Sequence, residues 1–282
     1  MPELPEVETV RSQLEKVVVG KSIAQIQVLK EKSWTGDISQ VVNQPIMAVE
    51  RRSKVLIIRL KNGLNLLIHL KMSGQLIYVD GEFRTGGGHP TDDWVQQLPS
   101  KHTRIVFTFD DGTTLFFNDQ RMFGWVRSMS NEQTAQSLSS LAPDVIDEKI
   151  TPGYLFEKAQ RRSIPIKQFI MDNQIVAGVG NIYACDALNL ARISPTRSSS
   201  TLSEAEVHRL LEAMRHVVHK GIELGGATAH GKYVDVAGLA GRYQNVMRVY
   251  NKKGEACPNC STPIEKIKLG GRGTYFCPSC QK

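Results

Sequence analysis

Two C-x-x-C pairs near the end of the chain, Cys257-Pro-Asn-Cys260 and Cys277-Pro-Ser-Cys280, constrain the fold more tightly than any other stretch. Sixteen residues separate them. Four thiolates offered on two tight turns suit a tetrahedral structural Zn²⁺. Disulfides are the alternative. No basic segment followed by an apolar one marks the N-terminus as a secretory signal, and reduced cytosolic thiols favour a metal. The energetics agree: so small a piece has few apolar side chains to bury, while ordering it costs ~1–2 kcal/mol per residue. A structural zinc supplies an apparent ~10–16 kcal/mol. With all four positions filled by cysteine, this metal holds shape and performs no chemistry. The fifth cysteine, Cys185, reads as a buried helix residue. Between the pairs, "IEKIKLGGRGTYF" (264–276) reads as a strand, a glycine turn presenting Arg272, and a second strand.

Charge points the same region at an anionic partner. The chain carries a formal +7 over 282 residues. From Arg248 to Lys282 there are seven Lys/Arg against two Glu, so most of the excess sits in one-eighth of the sequence. A basic β-hairpin carried on zinc suits DNA contact. Without the neighbouring charge, Arg272 would read as a solvated surface residue. With 41% apolar residues the chain can bury proper cores. No run of ~18 apolar residues exists, so no membrane span is expected.

The pattern along the chain changes once. Residues 22–30, 46–50, 54–60, 65–70, 75–79, 104–109, 113–117 and 124–129 are short and rich in Val, Ile, Leu and Phe, and predict strands. Asp111-Gly112 marks a hairpin turn. One helix followed by this many short strands predicts a β-sandwich or barrel over residues 1–130. "GEFRTGGGHPTDDW" (81–94) reads as a long loop, and residues 131–144 as a linker. Beyond it, Leu155–Ala159, Ile166–Val176 and Ile182–Ala191 predict helices. Ser203 with Glu206 forms a capping box before a long amphipathic helix ended by Gly225-Gly226. Residues 145–247 are therefore a helical domain containing a Gly-rich loop at 225–243, and residues 248–282 the zinc-bound piece. The fold class is α+β.

The start, "MPELPEVET", asks a further question. Pro5 suits the first helical position, and Glu6 and Glu8 suit the first turn. Val7, Val10, Leu14 and Val17 follow at helical spacing, predicting a helix over 5–18. That leaves Pro2 and Glu3 unexplained. A small second residue allows removal of the initiator Met1, leaving proline's secondary amine at the terminus. An α-amine has a pKa near 8 and a lysine near 10.4, so at pH 7 about a tenth of the first is free base against roughly a few in ten thousand of the second. Such an amine is a ready nucleophile, and with an aldehyde it gives an iminium that acts as an electron sink. Glu3 beside it can shuttle protons. Most Pro-Glu starts do nothing of the kind.

Taken together, "PELPEVET", "KMSG", "DQRMFG", "AGVGNIYACDAL" and "GGRGTYFCPSCQ" resemble the formamidopyrimidine-DNA glycosylases, from Pro2 to Gln281 and in family order. The opening "PEL" fits this branch better than the related endonuclease VIII branch. The resemblance implies an N-terminal β-sandwich, a helix–two-turn–helix domain and a β-hairpin zinc finger. It implies an enzyme that excises oxidised purines (8-oxoguanine, formamidopyrimidines) and cuts the abasic strand by successive β- and δ-elimination. It makes Pro2 the nucleophile, Glu3 the general acid/base, Lys54 an aid to β-elimination, and Arg272 the finger residue of the second elimination. It sets Glu6 near the extruded base and Met72, Arg121 and Phe123 in the vacated stack. It gives His102, Arg162, Lys167 and Asn181 phosphate contacts, sequence-independent and salt-sensitive. It implies one Zn²⁺ on Cys257, Cys260, Cys277 and Cys280, damaged double-stranded DNA as partner, a monomer, and a cytoplasmic, nucleoid-associated bacterial protein. Gln120 and Met122 depart from the common D-P-R-R-F-G, and Arg104 in "HTR" stands to compensate for the lost charge. Lys232 replaces an acidic residue in the 225–243 loop. Two other readings share parts of this pattern: an endonuclease VIII-like enzyme for oxidised pyrimidines, and a zinc-dependent DNA-binding protein without catalysis.

Overall fold

A computed structural model of the chain describes residues 2–88, 97–227 and 241–282. Residues 89–94 of the long loop, and Lys232 with most of the 225–243 loop, lie outside the described residues. The chain divides into two compact units, Met1–Ser139 with Ile222–Gln244, and Ser140–Gly221 with Asn245–Lys282.

The first unit opens with α1 (Leu4–Val18), which has Pro5 in its first turn and a capping box between Glu3 and Glu6. Leu4, Val7, Val10, Leu14 and Val18 form its buried stripe, with the expected Val17 only partly buried at its edge. Ten strands follow: β1 (Ile23–Val28), β2 (Trp34–Thr35), β3 (Ile46–Arg52), β4 (Val55–Leu60), β5 (Leu64–His69), β6 (Gly74–Asp80), β7 (Phe83–Gly88), β8 (Thr103–Phe109), β9 (Thr114–Asp119) and β10 (Trp125–Ser130). They make two five-stranded sheets, ordered β1-β8-β9-β6-β7 and β2-β10-β5-β4-β3. Alternate residues face inward. Leu76, Tyr78, Phe107, Phe109 and Phe117 from one sheet pack with Leu56, Ile58, Leu66, Ile68 and Val126 from the other, and with Val7, Val10 and Leu14 of α1, in one core. This is the expected sandwich. Each such side chain contributes about 1.5–3 kcal/mol on burial.

Three local readings change in this unit. Residues 83–88, read as loop, form edge strand β7 on β6. Its glycines hid the strand. At Gly88, with φ +133°, a Cβ would sit 2.3 Å from the Gly74 carbonyl oxygen, so only glycine fits the close approach. The two-residue β2, paired in parallel with β10, carries no sequence signal of its own. Residues 131–138, read as linker, form α2 (Asn131–Leu138), begun by a capping box between Ser130 and Gln133. The helix is polar because β5 receives it through hydrogen bonds: Asn65 Nδ2 donates to Asn131 Oδ1 (3.0 Å) and Thr134 Oγ1 (3.1 Å).

The second unit contains α3 (Pro152–Gln160), α4 (Ile166–Ile170), α5 (Asn181–Ala191), most of α6 (Glu204–Glu223), and the hairpin β11 (Glu265–Leu269) and β12 (Arg272–Phe276). The helix expected over 166–176 stops at Ile170, because Asp172 Oδ1 instead accepts the Gln174 N–H in a turn (2.9 Å). Ser203 and Glu206 cap α6 reciprocally: Glu206 Oε2 accepts the Ser203 N–H at 2.8 Å and Ser203 Oγ the Glu206 N–H at 3.3 Å. Val207, Leu210, Leu211, Met214, Val217 and Val218 form the buried stripe of α6. Helix α5 is buried almost throughout. Its Asp186 carboxylate accepts the backbone N–H groups of Arg248, Val249 and Tyr250, fixing the chain where it enters the finger.

Candidate active site and nucleic-acid interface

Pro2 and Glu3 are both buried at the head of α1. The cap holds them there: Glu6 Oε2 accepts the Glu3 N–H at 2.7 Å. The other oxygen of Glu6 accepts the Ala227 N–H, also at 2.7 Å. Gly226, with φ +87°, lets this happen, since a Cβ there would lie 2.8 Å from Glu6 Cγ. Glu6 therefore ties the head of α1 to the residue that leads into segment 228–240.

Lys54 lies on the two-residue turn joining β3 to β4 and is 7% exposed. Ser53 before it takes φ +53°, an unfavourable backbone for a residue with a Cβ. A partly buried ion pair holds that turn. Arg51 donates through Nη1 to the Ser53 carbonyl (2.8 Å) and through Nε to Glu8 Oε2 of α1 (2.8 Å), while Glu8 Oε1 accepts from Arg11 (2.7 Å). The helix that starts at the nucleophile candidate and the turn that carries Lys54 thus share one guanidinium.

The candidate void-filling side chains sit on two further turns. Met72 (38% exposed) and Phe123 (56% exposed) are open to solvent and do not pack in the core. The Arg121 guanidinium lies over the Phe123 ring at 5.1 Å. Lys71, before Met72, has φ +51°, and Met122, before Phe123, has φ +54°. Each strained turn again has a side chain holding it. His69 Nδ1 accepts the Lys71 N–H at 3.0 Å, and the His69 ring meets Trp125 edge-on at 5.7 Å. Burial, then the charges of Lys71, Lys54 and Arg127, push the His69 pKa down to about 3, so the ring is a neutral acceptor at working pH. Asp119, fully buried at the end of β9, accepts from Ser73 Oγ (2.5 Å), the Arg121 N–H (3.2 Å) and the Gly124 N–H (2.6 Å).

Arg104 does not take the compensating place expected of it. It is 5% exposed, and its Nε donates to the Asp119 carbonyl (2.8 Å) and Nη1 to the Lys101 carbonyl (3.0 Å). It braces the loop from inside the protein. His102 is partly exposed, and its carbonyl accepts the Asp119 N–H at 2.9 Å.

The second unit gathers Lys167, Asn181 and the finger hairpin. Lys167, 2% exposed, donates from Nζ to Asn181 Oδ1 (2.5 Å) and Thr274 Oγ1 (2.7 Å). Asn181, the first residue of α5, donates through Nδ2 to the Gly273 carbonyl (3.0 Å). Arg272 is exposed, next to the turn made by Gly270 (φ +55°) and Gly271 (φ +76°). A Cβ on Gly270 would meet only the end of the flexible Gln168 side chain, so it is the left-handed backbone that calls for glycine at this turn. Arg162 is ion-paired with Asp172 at 2.9 Å and half-exposed. The site thus offers a helix N-terminus, a buried ammonium and an exposed guanidinium within one unit, a set suited to phosphate.

The four finger cysteines converge as expected. Their sulfur atoms all lie within 4.8 Å of one another, with Cys260 to Cys277 at 3.4 Å and Cys257 to Cys280 at 3.7 Å. A tetrahedron with Zn–S bonds of about 2.3 Å has edges of about 3.8 Å, so the sulfurs fit zinc. The donor environment suits thiolate: the Asn259 N–H and Asn189 Nδ2 both point at Cys257 Sγ (3.4 and 3.7 Å). Cys185 is buried in the same small core. Sequence reasoning passed over Arg51, His69, Asp119, Asp186 and Asn189. Only Asp119, inside the quoted "DQRMFG", and Asp186, inside "AGVGNIYACDAL", lay within a motif that carried a signal.

Comparison with known proteins covers the whole chain. Residues 1–126 match the family described as formamidopyrimidine-DNA glycosylase N-terminal domain, 141–232 the corresponding H2TH domain, and 254–282 the zinc finger found in FPG and IleRS. A formamidopyrimidine-DNA glycosylase of Pelotomaculum thermopropionicum is 37% identical over 289 residues, covering 100% of this chain and 99% of that one. One from Rickettsia conorii is 35% identical over 286 residues, with 100% and 99% covered. Among solved structures, a Lactococcus lactis FPG mutant in complex with Fapy-dG-containing DNA superposes with a TM-score of 0.89 at 31% identity, over 100% of both chains. The MutM (FPG) protein of Thermus thermophilus gives 0.85 at 34% identity, over 99% of this chain and 98% of that one.

Proposed function

We propose, for a chain that belongs to the formamidopyrimidine-DNA glycosylase family, that its chemistry begins at the amine of Pro2. The protein is a bifunctional DNA N-glycosylase and abasic-site lyase that acts on oxidised purines in base excision repair. Four cysteines hold one structural zinc ion in its finger. Among the described residues, no helix is long and apolar enough to cross a membrane.

Removal of Met1 frees the Pro2 nitrogen. An α-amine, with its pKa near 8, is about a tenth free base at pH 7. The damaged nucleotide is first extruded, at a cost of a few kcal/mol. The Pro2 nitrogen bonds to C1′ as the C1′–N bond to the base breaks, and its N–H proton passes to the departing base, restoring the nitrogen's lone pair. Glu3 delivers a proton to the ring oxygen, the sugar opens, and the nitrogen's lone pair completes an iminium. The iminium acidifies C2′. With that proton removed, the 3′ phosphate leaves as a dianion, a step Lys54 assists by its charge. Loss of a second carbon-bound proton expels the 5′ phosphate, beside Arg272. The product is a one-nucleotide gap bounded by two phosphates.

Met72, Arg121 and Phe123 fill the vacated stack. A thioether and an aromatic ring suit wedging, and the guanidinium suits pairing with the orphaned base. Asn181, Lys167, Arg162 and His102 hold the backbone, and Glu6 shapes the approach of the extruded base. Acting on chromosomal DNA, the protein works as a monomer in the bacterial cytoplasm at the nucleoid.

The buried Pro2–Glu3 pair at the capped helix start carries this reading. Two measurements test it. Mass spectrometry of the intact chain is expected to find Met1 absent. Borohydride is expected to trap a covalent adduct on an abasic-site duplex, and Pro2→Gly to reduce its yield at least tenfold. A full yield from Pro2→Gly, or full lesion cleavage by chain that retains Met1, refutes the assignment of the nucleophile.

A further inference from the structure

We infer that Asp119 is a positioning residue for base extrusion: its buried carboxylate locks the Met72 turn and the Arg121–Phe123 loop into one rigid wedge. The inference rests on the reading of Met72, Arg121 and Phe123 as the side chains that enter the stack.

The two turns belong to stretches of chain almost fifty residues apart, and each is strained. Lys71 (φ +51°) and Met122 (φ +54°) hold left-handed backbone without glycine. Such residues cost of order 1–3 kcal/mol each and persist only where their surroundings over-determine them. His69 holds the first turn through the Lys71 N–H; Asp119 holds the second directly and joins it to the first through Ser73. Oδ1 accepts from Ser73 Oγ, the residue after Met72, and from the backbone N–H of Arg121. Ser73 Oγ accepts the same Arg121 N–H at 2.9 Å, closing a three-membered ring of polar groups between the turns. Oδ2 accepts the Gly124 N–H, so the carboxylate grips the Arg121–Phe123 loop at both ends. Gly124 itself must be glycine: a Cβ would lie 2.8 Å from Phe117 Cζ, 3.0 Å from Asp119 Oδ2 and 3.1 Å from the His69 carbonyl oxygen. The backbone of Asp119 is fixed in turn, its carbonyl by Arg104 Nε and its N–H by the His102 carbonyl.

The physical consequence is preorganisation. Two exposed apolar side chains and a guanidinium over a ring would fold back onto the surface if their turns were mobile. Opening a base pair then requires ordering both turns at the moment of insertion, and that cost falls on extrusion alone. Once the base is gone, attack on the sugar no longer needs the wedge in the same way.

The test uses the full-length, zinc-loaded enzyme and two substrates, a duplex with 8-oxoguanine and a duplex with a preformed abasic site. Asp119→Asn keeps the shape but turns an N–H₂ group toward the Ser73 and Arg121 donors or the Gly124 N–H. It is expected to slow single-turnover excision of 8-oxoguanine at least tenfold and to leave borohydride trapping on the abasic site within threefold. Ser73→Ala, which leaves the carboxylate in place, is expected to lower the same step about threefold, and it carries the test if Asp119→Asn fails to fold. The decisive readout is non-additivity. In a Met72→Ala/Phe123→Ala background, Asp119→Asn is expected to add less than a twofold loss, because there is no wedge left to place. A further tenfold loss in that background, or equal losses on both substrates, overturns the positioning role and leaves the wedge reading standing. Full 8-oxoguanine excision by Met72→Ala/Phe123→Ala overturns the wedge reading itself and the inference with it.

Discussion

Arg51 joins the head of α1 to the Lys54 turn, and its removal separates stability from chemistry. The side chain is 6% exposed and makes two charge-assisted hydrogen bonds of 2.8 Å, to Glu8 Oε2 and to the Ser53 carbonyl. Hydrogen bonds to charged groups contribute about 1.5–3 kcal/mol each. The full sum overstates the loss, because Glu8 keeps Arg11 as a partner at 2.7 Å and is 21% exposed to water. Arg51→Ala should therefore destabilise the first unit by about 2–4 kcal/mol, a fall of roughly 5–15 °C in its melting temperature at 2–4 °C per kcal/mol. Arg51→Lys restores the charge but not the fork, and should fall between. The chemical effect is narrower. Ser53 loses the bond that holds φ +53°, so Lys54 loses its fixed origin. A loss of about 1.4 kcal/mol of transition-state stabilisation is a tenfold slower step. Quenched-flow assay on an abasic-site duplex should show β-elimination slowed about tenfold, with the borohydride adduct forming within twofold of wild type. A melting shift under 2 °C would show that the ion pair contributes nothing. Equal slowing of adduct formation and elimination would show that Arg51 acts on the whole unit and not through the Lys54 turn.

Two other expectations concern the metal and the pH. Chelation, or Cys277→Ser, should unfold the β11–β12 hairpin, weaken DNA binding and lower its salt dependence, since Arg272 loses its mount; each lost phosphate contact removes about 0.9 from the slope. The first unit should melt unchanged, and unaltered affinity after zinc loss confirmed by metal analysis counts against this. His69 is held neutral, its pKa pushed down to about 3 by burial and by Lys71, Lys54 and Arg127. A depressed folded pKa means that the unfolded chain takes up the proton first, so the stabilisation is complete above about pH 6.5 and is lost as pH falls toward 3. Between pH 7 and 5.5 His69 should cost the first unit about 1 kcal/mol. Denaturant melts of His69→Gln should lack that component, and an identical pH slope in the variant would refute it.

How much of this was legible in the sequence depends on whether the signal was local. The zinc ligands, the strands around Val, Ile and Phe runs, the Ser203–Glu206 cap and the α1 stripe all rest on spacing within one turn or one strand, and the structure has them. The edge strand β7 was missed because Gly86, Gly87 and Gly88 read as loop; at Gly88 the missing Cβ instead lets β7 lie close against β6. Helix α2 was missed because its anchor is Asn65, sixty-six residues away from Asn131. Arg104 looked like a phosphate ligand because its charge was visible and its burial was not. Arg51, His69 and Asp119 were passed over for a related reason: each acts on a backbone group elsewhere, and nothing about an arginine, a histidine or an aspartate in a strand announces that.

These three residues solve the same mechanical problem. Seven non-glycine residues among those described have positive φ, and three of them, Ser53, Lys71 and Met122, directly precede Lys54, Met72 and Phe123. None is the asparagine or glycine that would take this backbone cheaply. Each turn has its own buried or partly buried side chain bonded to a main-chain group within or beside it: Arg51 to the Ser53 carbonyl, His69 to the Lys71 N–H, Asp119 to the Arg121 and Gly124 N–H groups. Glycine would relieve the strain and make the turn mobile. A strained turn clamped by a strand residue keeps one conformation, which a lysine aimed at a sugar or a ring aimed into a base stack requires. The prediction common to all three is therefore a sign reversal. Ser53→Gly, Lys71→Gly and Met122→Gly relax the left-handed backbone and should hold or raise the melting temperature of the first unit, while each slows the step assigned to the side chain that follows. A glycine variant that is both more stable and fully active would show that the clamp and the strain serve the fold alone.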